Sequence, residues 1–115
     1  MEILDYKKFP ILIVDDEKDN LLAFQYEFEE NFQILSAMSG NDALALLKNQ
    51  GEVSLIIVDQ RMPEMKGVDL LREVYKLYPD TIRFLITAYS DVEVVIEAIN
   101  SGRVYKYVTK PWDHE

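Results

Sequence analysis

Short apolar runs alternate along this chain with stretches whose apolar residues recur at helical spacing. The runs are Phe9 to Val14, Phe32 to Ala37, Ser54 to Val58, Ile82 to Ile86 and Val104 to Val108. Four to six residues suit a strand better than a helix. Strands that alternate with helices form βαβ units, and consecutive units build a parallel sheet with helices packed on its faces. Ser54 to Val58 is apolar on both faces and belongs at the centre of such a sheet. Tyr105 and Tyr107 alternate with Val104 and Val108, the pattern of an edge strand with two unlike faces.

The intervening segments carry their own start and stop signals. Leu21, Phe24 and Phe28 set a first helix over about Lys18 to Glu30. Ser39-Gly40-Asn41-Asp42 places an N-cap acceptor three residues before an acid, which predicts a second helix stopping near Gly51. Leu70, Leu71, Val74 and Leu77 stripe a third helix, ended by Tyr78-Pro79. Ser90-Asp91-Val92-Glu93 is a further capping box, opening a fourth helix with Val95, Ile96 and Ile99 that ends at Gly102. No repeat, low-complexity tract or linker interrupts the pattern, so residues 1–115 form one domain, long enough to bury a core.

The chemistry lies where the strands stop. Ile11-Leu12-Ile13-Val14 runs into Asp15-Asp16, Leu55-Ile56-Ile57-Val58 into Asp59, and Val104 to Thr109 into Lys110-Pro111. The carboxyl ends of strands line the ligand crevice of an open parallel sheet, so these acids and the lysine are expected to meet there. Clustered carboxylates repel one another unless a divalent cation sits among them, and hard oxygen ligands suit Mg²⁺. That points to phosphate chemistry. Asp59 is the candidate nucleophile, a carboxylate able to attack phosphorus and form an aspartyl-phosphate. Lys110 supplies a point charge for Asp59 or for phosphoryl oxygens. The Thr87 hydroxyl can donate to a phosphoryl oxygen, with small Ala88 leaving room for the approach.

Composition narrows the alternatives. Acidic residues number 21 against 12 basic ones, a formal net charge of −9 that would repel a phosphate backbone, so direct nucleic-acid binding is not expected. The absence of cysteine rules out disulfides and thiolate zinc sites. No apolar stretch approaches the roughly 20 residues of a membrane span, and Met1-Glu2-Ile3-Leu4-Asp5 lacks the start of a signal peptide, so a soluble, cytoplasmic protein is expected. The single histidine, His114, lies in a terminal tail and is assigned no role, and Glu17 is read as an exposed first-turn helix acid.

Taken in order, the motifs resemble the receiver domain of two-component response regulators, the CheY-like superfamily, along nearly the whole chain. The resemblance rests on Val14-Asp15-Asp16-Glu17, on Val58-Asp59-Gln60-Arg61-Met62-Pro63-Glu64-Met65-Lys66-Gly67, on Thr87-Ala88, and on Tyr107 three residues before Lys110. It implies a flavodoxin-like, doubly wound five-stranded parallel sheet in strand order 2-1-3-4-5. It also implies Asp59 as phosphoacceptor, Asp16 as direct Mg²⁺ ligand, Asp15 as support through water, and the backbone carbonyl of Arg61 as the remaining protein ligand. Thr87 and Tyr107 correspond to the switch pair, and the bond before Pro111 to a cis step that aims Lys110 inward. The partner so implied is a histidine kinase or phosphotransfer protein, and the output a repacking of the helix four, strand five surface.

Such domains also have a fifth helix, which this sequence, ending at Trp112-Asp113-His114-Glu115, largely lacks. The expectation is therefore an N-terminal piece of a longer regulator with a C-terminal output domain, and self-association as a homodimer through the uncovered face. The stretch Val104 to Trp112 resembles receivers that precede large output domains, including cyclic-dinucleotide phosphodiesterases of the HD-GYP kind and sigma-54-type activators. Two rival readings are a phosphatase of the haloacid dehalogenase type and a pseudo-receiver that only binds. The first resembles Asp-x-Asp, but Glu17 follows Asp15 at that spacing and Arg61 follows Asp59. The second leaves unexplained why every family position is filled.

Overall fold

The computed structural model describes residues 9–88, residue 96 and the strand at 106–110. In chain order the elements are β1 (Ile11–Val14), α1 (Lys18–Phe28), β2 (Ile34–Ala37), α2 (Gly40–Gln50), β3 (Leu55–Asp59), α3 (Gly67–Leu77), β4 (Ile82–Ala88) and β5 (Lys106–Lys110). The strands form one sheet, every pair parallel as the strand pattern predicts, in the order β2-β1-β3-β4-β5 that the receiver resemblance implies. The predicted fourth helix, apart from residue 96, lies outside the described residues, as do Tyr89, Tyr105, Pro111, Trp112 and His114.

Strand boundaries differ from the sequence expectation for reasons visible in the backbone. β1 starts at Ile11, because Pro10 has no N–H to give the ladder and its carbonyl accepts from Ser54 N at 2.9 Å instead. β2 starts at Ile34, since the Phe32 N–H is taken by Phe28 O at 3.0 Å in closing the end of α1. β3 and β4 run on to Asp59 and Ala88, and Gln60 N still donates to Ile86 O at 2.8 Å. Side-chain polarity ends an apolar run but not a backbone ladder.

Register assigns the side chains to two faces. Leu12, Val14, Ile56, Val58 and Leu85 are fully buried and pack with Ala43 and Leu47 of α2 and Leu70, Leu71 and Val74 of α3. On the opposite face Ile11 and Ile13 are buried, Leu55, Ile57 and Phe84 only half-buried, and Ile82 is 46% exposed. That is the side on which α1 lies against β1 and β2. Of the predicted α1 stripe only Leu21 is buried, Phe24 is half-buried and Phe28 is 38% exposed. The rings of Phe24 and Phe28 pack on each other instead, with centroids 4.7 Å apart. On α3 the expected stripe holds through Val74, but Leu77 is exposed, and Tyr78, four residues after Val74, packs against the core in its place.

Helix starts are fixed locally where the sequence allows. At α2 the Ser39 hydroxyl accepts from Asp42 N at 3.0 Å, as the cap signal predicts, and Gly51 closes the other end at φ 102°, where a side chain would be strained. At α3 the N-cap residue Lys66 makes no side-chain cap, and the function passes to a distant residue described below.

Candidate functional site

Strand β1 ends at Val14, so Asp15 and Asp16 leave the sheet at its carboxyl edge, beside Asp59 at the end of β3. Each of the three carboxylates offers an oxygen, and these oxygens lie within 4.8 Å of one another. Asp15 and Asp59 are buried and Asp16 is half-exposed. Buried like charges so close together are costly unless a cation compensates them, so this donor set fits a hard divalent ion such as Mg²⁺.

The roles of the two adjacent aspartates separate in their hydrogen bonds. Asp15 Oδ1 accepts from the Glu17 backbone N–H at 2.9 Å and Oδ2 from Asn20 Nδ2 at 3.1 Å. Both its oxygens are thus oriented by the first turn of α1, which suits a supporting carboxylate held at fixed distance. Asn20 also donates to Glu17 Oε2 at 3.4 Å. Glu17 itself is the exposed N-cap of α1, without a side-chain cap, one position earlier than the first-turn site expected for it. Asn20 was missed in the sequence because an amide on an exposed helix turn carries no signal of its partner.

Beyond Asp59 the loop to α3 is strongly constrained. Gln60 and Met62 are buried, Arg61 between them is exposed, Met65 N donates to Pro63 O at 2.7 Å, and Glu64 has φ 69°. Thr87, near the end of β4, is fully buried, and its backbone pairs with Thr109. Lys110 pairs with Ala88 at the same carboxyl edge, and Tyr107 with Leu85. Asp15, Asp16, Asp59, Thr87 and Lys110 therefore lie at or beside this one edge of the sheet, whereas Tyr107, three residues before Lys110, sits deeper along β5.

No helix among the described residues is long and apolar enough to cross a membrane.

Comparison with known proteins agrees with this arrangement. Over residues 11–115 the chain matches the family described as response regulator receiver domain. It is 40% identical over 110 residues to the hydrogenase transcriptional regulatory protein HoxA of Cupriavidus necator, covering 94% of this chain and 23% of that protein. To the transcriptional regulatory protein ZraR of Salmonella typhimurium it is 34% identical over 109 residues, covering 94% and 24%. Among solved structures, the signal receiver domain of an HD domain-containing protein from Pseudomonas fluorescens matches with a TM-score of 0.83 at 35% identity, covering 91% of this chain and 84% of that one. The chain spans about a quarter of the length of the curated relatives it matches.

Proposed function

This chain belongs to the response regulator receiver domains, and from that membership we propose that it is a phosphorylation-operated switch whose phosphoacceptor is Asp59. The observation that carries this reading is the convergence of Asp15, Asp16 and Asp59 within 4.8 Å at the carboxyl edge of the sheet. A carboxylate oxygen of Asp59 attacks the phosphorus of a phosphohistidine on a histidine kinase or phosphotransfer protein. The P–N bond breaks, the imidazole leaves with its electron pair, and Asp59 becomes an acyl phosphate. Mg²⁺, when bound, offsets the charge of the carboxylates and of the phosphoryl oxygens.

The remaining roles fall to the chain's own residues. Asp16 and the Arg61 carbonyl would hold the ion directly beside Asp59, and Asp15, held by Glu17 N and Asn20, would support it through water. Lys110 balances charge at Asp59 before transfer and at the phosphoryl group afterwards. Thr87 donates its hydroxyl to a phosphoryl oxygen, and Tyr107, on the neighbouring strand, moves with it to alter the outer surface. The relatives are named transcriptional regulatory proteins. By analogy this domain reports to a C-terminal output domain and itself contacts no nucleic acid.

Incubation with radiolabelled acetyl phosphate and Mg²⁺ should label the parent chain, and Asp59→Asn should take no label. Asp16→Asn should weaken Mg²⁺ binding in calorimetry by about tenfold or more, the size typical of a lost charged or supporting ligand. Label persisting on Asp59→Asn would mean that the nucleophile is another residue. A parent chain that neither takes label nor binds beryllofluoride would instead be a pseudo-receiver.

A further inference from the structure

We propose that Gln60 is a positioning residue that holds the loop between Asp59 and α3, and with it the Arg61 backbone carbonyl, in place for cation binding. The inference rests on the phosphoacceptor reading given above and deepens it by a residue to which the motif around Asp59 gives no role. Gln60 is 4% exposed and ties three elements together. Its N–H donates to Ile86 O of β4 at 2.8 Å, its carbonyl accepts from Gly67 N at 3.0 Å, and its side-chain Oε1 accepts from Val68 N at 2.9 Å. The last two donors are the first N–H groups of α3, which an N-cap side chain ordinarily satisfies. Lys66 supplies no such cap.

The consequence is geometric. Both ends of the 61–66 loop converge on a single residue, Gln60. Such closeness requires glycine at 67, where a Cβ would stand 2.7 Å from Asp59 O and 2.9 Å from Gln60 Cα. Inside the loop Met62 is 8% exposed in the core, so Arg61 has a buried anchor on either side. Its carbonyl has little freedom to move while Gln60 stays bonded. Without the Gln60 side-chain acceptor, the buried Val68 N–H loses the partner it has here, and of the two hydrogen bonds from Gln60 to the start of α3 the one from Gly67 N remains.

The test compares Gln60→Met, which keeps the shape without the acceptor, with Gln60→Glu, which keeps the acceptor. In the metal-free proteins amide hydrogen exchange at Val68 should be faster in Gln60→Met and parent-like in Gln60→Glu. By calorimetry the Mg²⁺ dissociation constant should rise about tenfold in Gln60→Met, as for other residues that orient a ligand, and be no weaker than the parent's in Gln60→Glu. Phosphorylation of Asp59 by acetyl phosphate should fall at limiting Mg²⁺ in Gln60→Met and return to within about twofold of the parent at saturating Mg²⁺, the split expected when the loss lies in cation affinity. A purely structural role would lower thermal stability and leave this split absent. Should Gln60→Met not fold, Gln60→Asn, polar but one methylene short, takes its place. A folded variant with parental Mg²⁺ affinity overturns the inference while leaving labelling of Asp59 in the parent intact. Failure of the phosphoacceptor reading shows separately, as an unlabelled parent.

Discussion

Glu64 illustrates how a single residue in this fold departs from what its type prefers. It sits at φ 69° in the tight turn that Pro63 O and Met65 N close, inside the loop that leads from Asp59 to α3. For a residue with a Cβ the left-handed region costs about 1–2 kcal/mol, whereas glycine enters it freely but loses more chain entropy on folding, about 0.5–1 kcal/mol. Glu64→Gly should therefore be neutral or raise stability by up to about 1 kcal/mol, and β-branched Glu64→Val should lower it by about 1 kcal/mol or more. Urea unfolding of the two variants checks the sign, and a stable Glu64→Val would mean that the turn relaxes at no cost. Asp15, Asp16 and Asp59 were legible in the sequence because they stand at the ends of apolar runs, Asp15-Asp16 after Val14 and Asp59 after Val58. Asn20 and Gln60 were not, because what makes each matter is a partner chosen by the fold: Asp15 for one and Val68 for the other.

Among the elements, α3 and α1 contrast most. Helix α3 presents Val68, Leu70, Leu71 and Val74 to the core and keeps Asp69, Arg72, Glu73 and Lys76 outside. The ion pairs among those exposed residues, at 3.5–3.9 Å, add little stability in water. What seats the helix is its start. A Cβ at Gly67 would meet Leu85 Cδ1 at 2.6 Å and two backbone atoms of β3 and the residue after it, and backbone atoms cannot rotate aside. Gly67→Ala should cost about 1–3 kcal/mol, the range for overpacking a tight site, read as a lower urea midpoint with an unchanged slope. An unchanged midpoint would show that α3 can shift away from the sheet. The stripe on α3 was readable from spacing, but the choice of Tyr78 over Leu77 as its last contact was made by the sheet, whose surface lies under the four-residue row from Val74. Helix α1 has an equally plain stripe, yet buries only Leu21, since spacing states which residues share a face and not whether anything covers them.

At the scale of the whole molecule, the two faces of the sheet are unequally covered among the described residues. The side under α2 and α3 is sealed, whereas the side under α1 leaves Ile82 46% and Phe28 38% exposed, with Ile57 and Phe84 half-buried. Apolar side chains left exposed on one face favour a partner, while a net charge of −9 opposes the meeting of two copies. The 115-residue chain should therefore associate weakly, and more strongly as salt screens the repulsion, with Ile82→Lys reducing the effect. Sedimentation at low and high ionic strength measures this, and a monomer throughout would count against it. The sequence by itself determined the class of fold, the order in which strands and helices follow one another, and the acids that end β1 and β3, because periodicity and the ends of apolar runs are local properties of the chain. Only the tertiary structure decided that those acids come within 4.8 Å, that Gln60 caps α3 from eight residues away, and which face of the sheet is the better covered. Each of these depends on how segments distant in the chain pack, and packing is settled by the fit of whole surfaces, which no local pattern contains.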